Sequence, residues 1–304
     1  MARYPSTVMV SIVCPWDRRE RLAEQIFRRA IRHAAGMGFD HLYVFGTAGE
    51  GYAVDGARFR SVIEVFRDET VGSAATPMVG VIGLSTANVL ERLRVAYDLG
   101  FREFQISLPA WSPVTDAEAL RFFGEVCGAF PDARFMHYNT ARSGRVLTGT
   151  EYRPIIEAVP NLVAAKTMTS DLLLVSGVVR EAPELMHFLT EQTIAHGSLY
   201  GACALLGTYG LLAPKRSWAL LQAASAGRYA EAASIGAWFA DLNRDLFDPL
   251  FVDRRVDSAY DKVIAKLGGL DDFPLRMLSP YRTVSDAEYA RTKRTLQERH
   301  PDCA

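Results

Sequence analysis

Met37-Gly38-Phe39-Asp40-His41-Leu42-Tyr43-Val44-Phe45 reads as the end of a helix, a glycine turn and a strand. Upstream, Leu22, Ile26, Ala30, Ala34 and Met37 recur at helical spacing between Arg21 and Met37. Arg21, Arg28 and Arg32 take the opposite face, as on an amphipathic helix. The same phrase returns at Leu99-Gly100-Phe101-Arg102-Glu103, which leads into Phe104-Gln105-Ile106-Ser107. Looser versions are Ala129-Phe130-Pro131-Asp132 before Arg134 to Tyr138, Val159-Pro160-Asn161 before Leu162 to Lys166, and Ala182-Pro183-Glu184 before Leu185 to Thr190. Thr7 to Cys14 and Pro77 to Ile82 add two strands, and Ala202 to Gly207 supplies an eighth.

Strands that alternate with helices imply a parallel sheet joined by right-handed crossovers. Eight such units predict a closed (β/α)8 TIM barrel. No G-x-G-x-x-G follows the first strand, which argues against an open dinucleotide-binding sheet. After Pro214 the pattern is helical only, at Ser217 to Ala226, Tyr229 to Leu246, Asp257 to Leu267 and Asp286 to Glu298. We therefore expect a barrel over residues 1–214 and an all-helical C-terminal extension over 215–304 packed on it.

Composition narrows the function. With 49% hydrophobic residues, 23% charged residues and a formal net charge of −1, the chain has a large core and no basic block. Neither nucleic acid nor an anionic membrane is expected as a partner. No apolar run reaches the roughly 20 residues of a membrane span, and no signal-peptide core precedes the first strand, so the expected location is the cytoplasm. Cys14, Cys127, Cys203 and Cys303 are scattered without CxxC spacing or a companion His cluster, so neither a disulfide framework nor a metal site is expected.

Lysine usage is informative. The chain has five lysines against 29 arginines. Lys215, Lys262, Lys266 and Lys293 read as solvated surface, whereas Lys166 ends the apolar run Leu162-Val163-Ala164-Ala165. The active site of a (β/α)8 barrel lies at the C-terminal ends of its strands. That rule gathers Gly46-Thr47-Ala48-Gly49-Glu50-Gly51, Pro109-Ala110-Trp111, Tyr138-Asn139, Lys166-Thr167 and Thr190-Glu191 around one cavity. An amine attacks a ketone only when unprotonated, and burial is expected to depress the Lys166 pKa for that role. Arg cannot substitute. Carbinolamine dehydration needs a proton carrier, for which Tyr138 held by Thr47 is the candidate. The amides of Thr47 and Ala48 form a nest for a carboxylate. A protonated imine is its own electron sink, so no cofactor is expected.

At these residues the chain resembles the dihydrodipicolinate synthase / N-acetylneuraminate lyase family of pyruvate-dependent class I aldolases. Three anchors carry the resemblance. Gly46-Thr47-Ala48-Gly49-Glu50 matches the family's G-[ST]-x-G-E turn, Tyr138-Asn139 its Y-N strand end, and Lys166 lies at its spacing of 28 beyond Tyr138. The resemblance implies a lyase in which Lys166 forms an imine with pyruvate or another 2-oxo acid, Tyr138 relays protons and Thr47 bonds Tyr138. It implies an aldehyde as second substrate, and a homotetramer built as a dimer of dimers. It also implies a substrate-binding set of Gly46, Ala48, Trp111, Arg142, Thr190, Glu191 and Leu206, with Arg142 as a carboxylate clamp.

Three departures modify that picture. Ala48 lacks the hydroxyl usual at its position. Pro109-Ala110-Trp111 replaces a tyrosine pair that relays protons, and Trp cannot shuttle a proton. Tyr138 to Gly144 lacks the usual proline and is one residue shorter before Arg142. The departures argue against lysine-biosynthetic dihydrodipicolinate synthase proper. The Pro-x-Trp segment is similar to the hydratase-aldolase branch, where Trp111 would stack on a flat substrate tail. A dehydratase of 2-keto-3-deoxy sugar acids stays open, with Glu191 as its second acid/base. A non-catalytic 2-oxo-acid-binding protein is the reading from outside enzymology.

Overall fold

The computed structural model describes residues 1–251 and 254–303. Eight parallel strands close in sequence order into a barrel. They are β1 (Val8–Ser11), β2 (His41–Val44), β3 (Thr76–Gly80), β4 (Glu103–Ile106), β5 (Arg134–Asn139), β6 (Leu162–Thr167), β7 (Met186–Leu189) and β8 (Cys203–Leu206). Val8 lies opposite Leu205 and Met9 opposite Leu206, which shuts the ring. The expected (β/α)8 barrel is the observed fold.

Helices α1 (Glu24–Gly36), α2 (Gly56–Thr70), α3 (Thr86–Asp98), α4 (Asp116–Gly128), α5 (Gly149–Ala158), α6 (Leu172–Glu181), α7 (Ile194–Gly197) and α8 (Pro214–Ser225) each follow one strand. Beyond them come α9 (Tyr229–Leu246), α10 (Asp248–Phe251), α11 (Ser258–Leu267) and α12 (Asp286–Arg299). The position 214/215 falls at the first turn of α8, which packs against β8 and β1. The first helix begins at Glu24 rather than Arg21. Asp17 Oδ1 accepts from the amides of Arg19 and Arg21, and that local bonding holds a turn where periodicity alone predicts helix.

Two apolar layers follow from the period of two in each strand. One set of residues faces the helices: Val8 and Val10, Leu42 and Val44, Phe135, and Ala165. The alternate set fills the barrel: Met9, Tyr43, Met78, Met136, Ala164, Met186, Phe188, Ala204 and Leu206. Such interior layers form a packed core rather than a pore. Tyr4 closes the lower end, with its N–H on the Val163 carbonyl at 3.2 Å. Lys166 shares the inward face of Ala164, and Tyr138 that of Met136. Alternation therefore aims both at the barrel's upper mouth. No helix among the described residues is long and apolar enough to cross a membrane.

Candidate active site

Lys166 is 3% exposed and stands at the top of β6, paired in register with Tyr138 on β5 and with Phe188 on β7. Its Nζ donates to Tyr43 Oη at 2.9 Å and lies 4.0 Å from the centre of the Tyr138 ring. Tyr138 Oη and Thr47 Oγ1 share a hydrogen bond of 3.3 Å. These groups line a cavity of 230 Å³ together with Ser11, Ala48, Leu206, Thr208, Asp257 and Asp261. A second cavity of 300 Å³ lies on the other side of Tyr138 and Thr47. Its wall includes Tyr52, Ile82, Ala110, Thr140, Arg142 and Tyr281. A larger recess of 390 Å³, bounded by Leu84, Asn88, Glu91 and Arg92, has neither Lys166 nor Tyr138 in its wall.

The turn after β2 is tightly built. Phe45 and Glu50 both adopt left-handed backbone, with φ of 66° and 58°. Such non-glycine conformations cost on the order of 1–3 kcal/mol each and persist only where the surroundings fix them. Here glycines make room. A Cβ on Gly46 would lie 2.5 Å from the Tyr43 ring, and one on Gly80 would lie 2.2 Å from the Phe45 carbonyl oxygen. The fixed turn presents Thr47 to Tyr138. It also leaves the Thr47 and Ala48 amides without an acceptor among the described residues.

Glu50 anchors this turn from beneath. Its carboxylate accepts from Trp16 Nε1 at 2.7 Å and from the Leu278 amide at 2.8 Å, and pairs with Lys262 Nζ at 2.6 Å. Both side chains of the pair are fully buried. Lys262 also donates to the Cys14 and Arg276 carbonyls. The surface assignment of Lys262 is thus corrected: α11 turns this residue inward because Glu50 and two strand-end and loop carbonyls need a cation. Lys266, half-buried, donates to the Phe273 carbonyl at 3.2 Å, so its reading as solvated is corrected too.

The electrostatics of Lys166 differ from expectation. Burial is the largest influence and favours the neutral amine. Tyr138, Tyr43, the hydrogen bond to Tyr43 and Asp257 act in the opposite sense and together hold the pKa above the ordinary lysine value. The resting group is an ammonium. The expected depression is therefore corrected, because the phenol-rich and acidic wall outweighs desolvation. Tyr43 is itself pushed up, first by burial.

This geometry can now be set beside known proteins. A profile of the Dihydrodipicolinate synthetase family matches residues 4–299. The chain belongs to this family. Its members include lyases: N-acetylneuraminate lyase of Salmonella typhimurium is 27% identical over 215 residues, covering 70% of this chain and 72% of the relative. Among solved folds, YagE of E. coli K12, a prophage protein of the same family crystallised with pyruvate, superposes with a TM-score of 0.84 at 18% identity. It covers 96% of this chain and 98% of its own. A sialic acid aldolase of Ruminococcus gnavus, solved as a catalytic lysine mutant, gives a TM-score of 0.84 at 17% identity over 100% of both chains. This protein is accordingly a lyase of the dihydrodipicolinate synthetase family, of class I aldolase type.

The family member's other expected site residues divide. Ala48 and Leu206 line the Lys166 cavity, and Gly46 lies under it as the residue that admits the Tyr43 ring. Arg142 lines the neighbouring cavity and bridges to Asp257 at 2.9 Å, so its guanidinium is already engaged by a carboxylate. Trp111 is 87% exposed and lies in the wall of neither cavity; Ala110 takes that place. The loop after β4 turns the indole outward, so within one chain the aromatic wall is Tyr52 against Tyr281, centroids 4.9 Å apart. Thr190 is buried and bonded to Thr193 Oγ1 at 3.0 Å, outside both linings. Glu191 is buried behind the loop after β8, where it accepts from the Tyr209 amide at 3.1 Å. Burial raises its pKa to about 7. Neither residue lines either cavity, because Thr190 is held by Thr193 in the turn after β7 and Glu191 by the Tyr209 amide after β8.

Sequence reading missed the groups that come from outside the strand ends. Tyr43, one residue before the end of β2, faces the barrel interior with Met9 and Met78. Asp257 and Asp261 stand one turn apart on and just before α11, among Tyr260, Val263 and Ile264, and an acid pair in an apolar helix was the available signal.

Proposed function

We propose that this lyase condenses Lys166 with the keto carbon of pyruvate and then makes or cleaves a C–C bond to an aldehyde. The observation that carries the reading is the buried Lys166 amine in the cavity wall, its Nζ 2.9 Å from Tyr43 Oη and 4.0 Å from the centre of the Tyr138 ring. Once the ammonium has given up its proton to water, Nζ attacks the keto carbon as the neutral amine. The keto oxygen leaves as water, with Tyr138 and Thr47 carrying protons in and out. Two amides without an acceptor, those of Thr47 and Ala48, suit the carboxylate. Ser11 Oγ, a cavity-lining hydroxyl beside Tyr43, offers a further hydrogen bond. The crystallisation of YagE with pyruvate and the catalytic lysine of the Ruminococcus gnavus aldolase support the same choice of substrate and nucleophile.

The test is direct. Pyruvate followed by borohydride should fix a reduced adduct on Lys166, located by mass spectrometry after digestion, and Lys166→Ala should give neither adduct nor turnover. Absence of the adduct in the wild-type protein would favour the non-catalytic binding reading. A homotetramer, a dimer of dimers, is proposed with it. Exposed large apolar side chains support that assembly: Leu84 and Trp111 after β3 and β4, and Leu172, Leu173, Leu199 and Tyr200 around α6 and α7. A monomer in sedimentation at micromolar concentration would refute it.

A further inference from the structure

Any 2-oxo acid that this imine can cleave or dehydrate carries an oxygen on its fourth carbon, and that oxygen needs its own proton carrier. Glu191 cannot serve, since it is turned away to hold the Tyr209 amide. We infer that Asp261, delivered by α11 from the C-terminal extension, is the acid–base group that exchanges a proton with that oxygen. The inference rests on the imine reading above.

The geometry is specific. Asp257 and Asp261 lie four residues apart and both line the Lys166 cavity. Their environments differ. Asp257 is engaged by Arg142 at 2.9 Å, while the Asp261 carboxyl has no hydrogen-bond partner among the described residues. It lines the same cavity as Lys166, into which a substrate held on Nζ would extend. Its position is not left to the mobility of a loop. The next residue, Lys262, is locked to Glu50, and Gly268 at the end of α11 sits against the Leu211 carbonyl so closely that a Cβ would lie 2.3 Å from it. The pair that fixes the Thr47 turn therefore fixes the helix that carries Asp261. One buried contact sets both walls of the site.

The protonation state agrees. Burial, then the charge of Asp257, push Asp261 up to about 8; Lys166 from β6 and Arg142 after β5 act against this, and Glu191 after β7 adds to it. Asp261 is thus a neutral acid near pH 7, able to give a proton. In elimination, the Tyr138 phenolate left after the keto oxygen departs as water takes a C3 proton, and the imine becomes an enamine. The enamine electrons form the C3–C4 double bond and the C4–O bond breaks with its electron pair. Asp261 protonates the departing oxygen, so water leaves and Asp261 becomes a carboxylate. In condensation, enamine C3 attacks the aldehyde carbon and Asp261 protonates the oxygen as the C4 hydroxyl forms. Retro-aldol cleavage is the reverse, with Asp261 as the base. No oxidant or reductant is involved.

Asp261→Asn separates this role from a structural one. The variant should still trap pyruvate on Lys166 at close to the wild-type rate, which also shows that it folds. Turnover of 4-hydroxy-2-oxovalerate or 2-oxo-3-deoxygluconate, and condensation of pyruvate with glycolaldehyde or benzaldehyde, should fall by about 10²–10⁴-fold, the usual contribution of a positioned acid–base group. Asp261→Glu should recover part of the loss. Undiminished turnover in Asp261→Asn would overturn the assignment. So would parallel loss of trapping and turnover, or a wild type that traps pyruvate yet processes none of these compounds. A wild type that traps no pyruvate sinks the imine reading itself, before any Asp261 variant is made.

Discussion

Replacing Lys262 by Met tests whether the C-terminal helices are held on the barrel by one buried ion pair. The substitution keeps an unbranched chain of similar length and removes the charge. Glu50 would then keep its Trp16 and Leu278 donors but lose its cation, and the Cys14 and Arg276 carbonyls would lose a donor. Breaking a buried pair from one side destabilises by about 3–5 kcal/mol, because an uncompensated charge stays behind. With an unfolding entropy of about 2.1 cal/mol/K per residue over 304 residues, each kcal/mol moves Tm by roughly 1.6 °C. The expected fall is about 5–8 °C by scanning calorimetry. The double variant Lys262→Met with Glu50→Gln removes both charges, but the single Gln oxygen can keep only one of the two donors, Trp16 Nε1 or the Leu278 amide, which sit on different carboxylate oxygens. It should recover part of the loss, because no uncompensated charge is left buried. A single variant as stable as wild type would refute the reasoning, as would a double variant no more stable than the single.

Two further expectations follow from the same wall of groups. Tyr138→Phe should slow pyruvate trapping and turnover by about 10²–10⁴-fold while pyruvate still binds, because the ring beneath Lys166 remains and the hydroxyl alone is lost; equal trapping rates would remove Tyr138 from the relay. Trapping and turnover should also respond oppositely to alkali. Lys166 is held above the ordinary lysine value, so the reactive amine fraction, and with it pyruvate trapping, should climb steadily with pH across the neutral range. Asp261 loses its proton near pH 8, so elimination and condensation should decline above that point. Stopped trapping and initial-rate profiles on the same preparation check this, and a turnover limb that rises in step with trapping would contradict it.

How much of this was legible depended on the element. Strand-end chemistry was readable because period two and register are strict. Once Leu162 to Lys166 is a strand, Ala164 and Lys166 must face one way, and Tyr138 on β5 meets Lys166 across the ladder. Helical chemistry was not. A period of 3.6 tells which residues share a face but not what that face meets. Lys262 and Lys266, four apart, look alike in sequence whether they meet water or Glu50. One clue was available: in a chain of 29 arginines and five lysines, the scarcity that singled out Lys166 applied equally to Lys262. Trp111 and Glu191 failed for a different reason. Their positions after β4 and β7 were right, but side-chain direction in a loop is set by neighbours far off in sequence, such as Tyr209 for Glu191.

The resting charge of Lys166 carries a consequence for how the site works. A lysine made nucleophilic by burial alone would stand in an apolar pocket. Here it stands among two phenols and the Asp257 carboxylate, and these hold its proton on. On the proposed imine reading, such a wall favours every cationic species on the reaction path, the iminium among them. The site therefore exchanges ease of the first attack for stabilisation of the charge that later draws electrons from C3, the kind of preorganised electrostatic aid that acts where charge develops. The trade works only if the attack is coupled to proton transfer, which is why Tyr138 and Thr47 must sit within reach of the same cavity. The arrangement also explains why the acid that serves the distal oxygen comes from α11. On that proposal the strand ends serve the carboxylate, the amine and its relay, and α11 supplies the cavity's remaining acidic wall through Asp261.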